Sequence, residues 1–150
     1  MESFDPQMAQ RVWQRVRATE RPEDEAAQLP ALIAEKQEQA ATYLQLSRRF
    51  QGKDAAVLRR LSEEERSHAA CLKGICTLLT GDPPTVHSPA PSREPTQALL
   101  RRCYGKELQC LARYEQWAAH REYGPVFTQL ARQEQEHCRI LLELLGNLKK

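Results

Sequence analysis

The chain has 150 residues, 41% of them hydrophobic, and a net charge of +2, which suits one compact domain with a core of its own rather than two independent ones. Lys and Arg are interleaved with Glu instead of clustered, so the charge pattern excludes the footprint of a nucleic-acid or anionic-membrane binder. No apolar run approaches the roughly 20 residues of a membrane span, and the polar opening residues lack the apolar stretch of a signal peptide, so the expected location is cytoplasmic.

Few aromatics and only six glycines favour helices over a sheet. Residues 5–18 read as a short amphipathic helix, with Phe4, Met8, Val12 and Val16 at four-residue steps and Trp13 beside them. Such a helix would dock on the rest of the chain or on a second subunit. A polar linker follows, so that residues 1–28 form an N-terminal appendage and residues 29–150 the main domain. Pro30 fits the first turn of a first long helix that should end near Phe50, before a turn at Gly52. A second helix is expected from Asp54 to Leu79, stopped by Gly81, Pro83 and Pro84. The next stretch, up to Pro95, carries five of the nine prolines and no helical period. At about 3.1 Å per residue it can reach about 45 Å, more than the roughly 39 Å of a 26-residue helix. It can therefore cross a bundle from end to end and let the second and third helices run parallel. The third helix should run from Pro95 or Thr96 to about Glu122, and the fourth from about Pro125 to Leu145. The expected fold is an all-α four-helix bundle with one long crossover.

Within these helices one pattern repeats. Glu38, Glu65 and His68 recur as Glu107, Glu134 and His137, displaced by 69 positions each time. A Glu and a His three apart share a helix face, with side chains about 5–6 Å apart at their base, close enough to serve one metal centre. The apolar stripe of the second helix reads Leu58, Leu61, Glu65, His68, Leu72, Ile75, Leu79. The fourth reads Phe127, Leu130, Glu134, His137, Leu141, Leu144, Leu148. The third reads Leu100, Cys103, Glu107, Cys110, Tyr114, Trp117. In each stripe of the second and fourth helices only the Glu and the His are polar, so they should point inward. The first helix is less clear: its matching row is Ala31, Ala34, Glu38, Ala41, Gln45, with Glu35 as a rival. The constant displacement favours Glu38, because it pairs Glu38 with Glu107 whereas Glu35 would pair with Tyr104. Four carboxylates buried together repel one another and lose solvation, so such a core needs counter-charge. Two divalent cations would supply it. Carboxylates with imidazole suit iron or manganese, with zinc able to substitute on purification. The odd number of cysteines and the absence of Cys-x-x-Cys point to reduced thiols, with Cys103 and Cys110 as packing residues.

These residues resemble the ferritin-like di-iron superfamily, and within it the rubrerythrin group, over about residues 29–147. The resemblance rests on Glu38, the Glu65-to-His68 tetrapeptide, Glu107, the Glu134-to-His137 tetrapeptide and the long second connection. It implies two iron ions, with Glu65 and Glu134 bridging or chelating, Glu38 and Glu107 as terminal carboxylates, and His68 and His137 as nitrogen ligands. It also implies an oxidoreductase that reduces peroxide or dioxygen, or alternatively an iron-binding, ferroxidase or metal-sensing module without turnover. Tyr114 is a candidate catalytic residue, since it lies seven positions after Glu107 on the same face. Where rubrerythrins usually carry a further glutamate, one turn past Glu107, this chain has Cys110. With no rubredoxin-like cysteine pairs, the electron donor would be a separate protein such as a rubredoxin, and a homodimer is expected.

Overall fold

A computed structural model describes Gln7, residues 26–85 and residues 90–148. Apart from Gln7, the N-terminal segment expected to be an amphipathic helix lies outside these residues. Among the described residues the chain is all-helical, with no strand. Four long helices account for it: α1 (Leu29–Ser47), α2 (Gly52–Thr80), α3 (Thr96–Trp117) and α4 (Gly124–Leu148). No described helix is long and apolar enough to cross a membrane.

Local chemistry sets the ends. Pro30 sits in the first turn of α1, where its missing N–H is one the helix could not use anyway. Gly81 closes α2 in the left-handed region at φ 80°, and its N–H donates to the Thr77 carbonyl at 2.8 Å, an arrangement that favours a residue without Cβ. α3 ends at Trp117, the last member of its apolar stripe and about five residues before the expected end near Glu122. The His120 ring accepts from the backbone N–H groups of Glu122 and Tyr123 through Nδ1 and stacks on both Trp117 and Tyr123, which holds residues 118–123 in a turn. Gly124 then begins α4 so close to α3 that a Cβ there would stand 2.5 Å from the Ala118 carbonyl oxygen.

α1 and α2 are joined by a short turn, as are α3 and α4, so each pair is an antiparallel hairpin. The segment between the hairpins ends beside the α1–α2 turn: Gln45 donates to the Ser92 carbonyl and Arg49 to the Glu94 carbonyl. α3 therefore starts at the same end of the bundle as α2. The core lies in two apolar layers. Near the α3–α4 turn are Leu29, Leu32, Ile33, Leu72, Trp117 and Phe127; near the α1–α2 turn are Leu46, Leu58, Leu61, Leu99, Leu141 and Leu144. Burial of these side chains, each worth about 1.5–3 kcal/mol, holds the four helices around the band between the layers. That band is polar.

Candidate metal centre

Three helices bring a carboxylate into this band, and the fourth brings a cation. Glu65 from α2, Glu107 from α3 and Glu134 from α4 are each 0% exposed, and so is His137; Lys36 from α1 and His68 are each 1% exposed. The Lys36 Nζ lies 2.6 Å from Glu65 Oε2, 3.1 Å from Glu134 Oε1 and 3.6 Å from Glu107 Oε1. It also stands 5.9 Å from the centroid of the Tyr114 ring, within cation–π range. Burial alone would push this ammonium down, but Glu65 and Glu134 outweigh it and hold Lys36 well above the ordinary lysine range. Glu134 responds in kind: burial would raise its carboxyl, but Lys36 and the His68 hydrogen bond bring it to about 2.

The two histidines are arranged alike. Each spans from the carboxylates outward to a residue on the facing helix: His68 Nε2 lies 2.5 Å from Gln133 Oε1, and His137 Nε2 lies 2.6 Å from Glu64 Oε2. Their rings stack with centroids 6.0 Å apart. Inward, His68 Nδ1 is 3.0 Å from Glu134 Oε1. His137 Nδ1 is 2.8 Å from Glu65 Oε1, 3.4 Å from Glu107 Oε2 and 3.9 Å from Glu134 Oε2. Burial disfavours the protonated His137 ring, but Glu65 and Glu134 raise its pKa above the ordinary value. When the ring is neutral with its proton on Nε2, that N–H donates to the Glu64 carboxylate, which leaves Nδ1 as a lone pair aimed at carboxylate oxygens.

Those inner atoms fit a metal ion. Glu65 Oε1, Glu107 Oε2, Glu134 Oε2 and His137 Nδ1 are buried with no hydrogen-bond partner, and these four residues offer ligand atoms all within 4.8 Å of one another. Buried acceptors that approach to 2.8 Å are unstable unless a metal ion, or a proton on the imidazole nitrogen, lies between them. Three carboxylates and one ammonium leave two negative charges, and one divalent ion would cancel them. Oxygen ligands with a single imidazole suit iron or manganese. The Glu64–His137 pair has the form of the carboxylate–histidine couple that commonly orients a metal-bound imidazole.

Five of the six ligands expected from the sequence thus meet in one place; Glu38 does not. Its side chain is 38% exposed, 3.3 Å from Arg102 and 3.6 Å from Lys106. Glu35 is also outward, paired with Arg113 at 2.9 Å. The row chosen for α1 was the outer one: Ala31, Ala34 and Ala41 are exposed, whereas Leu29, Leu32, Lys36, Gln39, Tyr43 and Leu46 are buried. Accordingly, Glu38→Ala will leave metal content as in the wild type and change stability by no more than about 0.5 kcal/mol, as usual for a half-exposed ion pair; elemental analysis and urea unfolding check both.

Tyr114 reaches the centre through a histidine. Its hydroxyl is 3.3 Å from His68 Nδ1. The α1 counterpart is Tyr43, which donates to Glu107 Oε1 at 2.9 Å while Gln39 Nε2 donates to the same oxygen at 2.8 Å. These two bonds hold Glu107 with Oε2 turned to His137. Burial raises both tyrosines well above the ordinary phenol range, so both keep their hydroxyl protons. All five cysteines are free. Burial pushes Cys103 up to about 12 and raises Cys110 also, which keeps them thiols and fits the expected packing role.

Sequence reasoning missed Lys36, Gln39, Tyr43, Glu64 and Gln133. The signal was present in a second displacement: positions 36, 39 and 43 of α1 stand 71 before 107, 110 and 114 of α3, and both series end in tyrosine. The α2–α4 displacement of 69 does not carry over to α1 and α3, because two more residues separate 36 from 65 than 107 from 134. Comparison with protein-family models, with curated proteins and with solved structures finds no match.

Proposed function

We propose that this chain is a ferritin-like bundle that binds a divalent transition metal, iron or manganese, through Glu65, Glu107, Glu134 and His137, and that it carries out redox chemistry on peroxide or dioxygen there. The observation that carries the reading is the set of four buried acceptor atoms, unpaired by hydrogen bonds, facing one another beside an uncompensated double negative charge. The bound metal would supply the electron and the Lewis acidity. The chain supplies the rest. Glu64 and Gln133 hold the two imidazoles in place from outside. Gln39 and Tyr43 orient Glu107, and the apolar layers above and below keep bulk water from the centre. Residues this deeply buried favour a substrate no larger than peroxide or dioxygen. With no Cys-x-x-Cys in the sequence, reducing equivalents would come from another protein.

The reading is tested by loading the full chain anaerobically with Fe(II), then mixing it with peroxide or with air-saturated buffer in a stopped-flow spectrometer. Oxidation of the bound iron within seconds, and renewed oxidation after re-reduction, is the expected result. Iron that binds but stays Fe(II) would reduce the protein to a metal-holding module, and failure to bind iron or manganese at all would refute the reading.

A further inference from the structure

We propose that the Lys36 ammonium is a built-in cation filling one of two equivalent positions in the cluster, so that the centre takes one divalent ion and not two. This rests on the metal-binding reading above and adds to it the number of ions and the residue that sets it.

The three carboxylates divide their oxygens between two sides. On one, Glu65 Oε2, Glu134 Oε1 and Glu107 Oε1 surround Lys36 Nζ at 2.6, 3.1 and 3.6 Å, and His68 Nδ1 touches the same Glu134 Oε1. On the other, Glu65 Oε1, Glu107 Oε2 and Glu134 Oε2 surround His137 Nδ1 at 2.8, 3.4 and 3.9 Å. Each side thus has three carboxylate oxygens and one imidazole nitrogen. The ammonium stands on the His68 side, in salt-bridge contact with Glu65 Oε2, and the other unpaired atoms of the cluster, Glu65 Oε1, Glu107 Oε2, Glu134 Oε2 and His137 Nδ1, face the His137 side.

The displacement of 71 gives this arrangement its meaning. Lys36 corresponds to Glu107, as Gln39 does to Cys110 and Tyr43 to Tyr114. A carboxylate at position 36 would complete a set of four and call for two divalent ions. A lysine there changes the charge of the cluster by two, the charge of one divalent ion, and its side chain places a positive group where that ion would sit. One residue therefore replaces both a ligand and a metal.

The test is a titration of the metal-free full chain with Mn(II), followed by gel filtration, metal analysis and electron paramagnetic resonance, on the wild type and on Lys36→Glu. The wild type should retain one ion per chain with the resonance of an isolated Mn(II), and Lys36→Glu two ions with the broadened resonance of a coupled pair. Two ions in the wild type would overturn the role given to Lys36 while leaving the metal-binding reading intact. One ion in both folded proteins would overturn it equally. No retained ion in either would instead refute the reading beneath. If Lys36→Glu fails to fold, the wild-type stoichiometry and resonance still decide.

Discussion

Lys36→Met will destabilise the metal-free chain by about 3–5 kcal/mol, the range seen when one partner of a buried ion pair is removed. Methionine keeps most of the length and apolar volume of the lysine stem, so the loss reports the charge and not a cavity. What remains is three carboxylates, each fully buried, facing one another with no fixed cation. Denaturant unfolding in the presence of a chelator measures it; a loss under about 1 kcal/mol would show that the ammonium does not hold the cluster together. The pH dependence supplies an independent sign. Glu134 is held at about 2 in the folded chain, below its unfolded value, so its contribution is present above the unfolded pKa and is lost as pH falls toward the folded one. Without Lys36, burial is opposed by less and that contribution shrinks. The stability gap between wild type and variant should therefore narrow as pH falls from about 4.5 toward 2. Adding Glu134→Gln to Lys36→Met should recover part of the loss, because neighbours in one network are not additive.

The second large effect is on metal affinity. Glu65→Gln preserves the shape of the side chain and removes its charge, and it should weaken divalent-metal binding by at least about 100-fold, since loss of a residue that merely orients a ligand already costs about 10–100-fold. Glu65 is the sharpest choice because both of its oxygens are buried without a hydrogen-bond partner, one lying 2.8 Å from His137 Nδ1 and the other 2.6 Å from Lys36 Nζ. A glutamine amide cannot serve both sides, for its nitrogen would point a donor at one of them. Competition against a chelator of known affinity measures the change, with Glu136→Ala as control: Glu136 is half-exposed and paired with Arg60 at 3.3 Å on the surface. Unchanged affinity in Glu65→Gln would remove Glu65 from the ligand set, and a comparable loss in Glu136→Ala would mean that the assay reports general destabilisation.

The arrangement also explains why so polar a core can close. Lys36 supplies a permanent positive charge on a tether, so the bundle need not wait for a metal to offset all of its carboxylates. The two apolar layers on either side then carry the folding energy, and the polar band between them is left with a deficit of two charges that a divalent ion can fill.

Much of this was legible from residue spacing. Apolar steps alternating three and four placed Glu65, His68, Glu107, Glu134 and His137 on the inner faces of α2, α3 and α4, because a helix seam admits little else beside large hydrophobes. The ends of the first two helices followed from Pro30, Gly52 and Gly81, whose backbone preferences are local. The face of α1 was not decided in that way. Glu38 and Glu35 were the rival ligands and both lie outward, because a displacement measured on α2 and α4 was applied to helices whose own displacement is 71. Which row turns inward depends on how two extra residues are absorbed between α1 and α2, and that is a property of packing across the bundle. The same holds for Lys36: a lysine in a helical row reads as solvated until three carboxylates from other helices are seen to surround it. Periodicity along one chain segment determines what is buried, because burial is a one-dimensional pattern. Which charges meet is decided only where four helices converge.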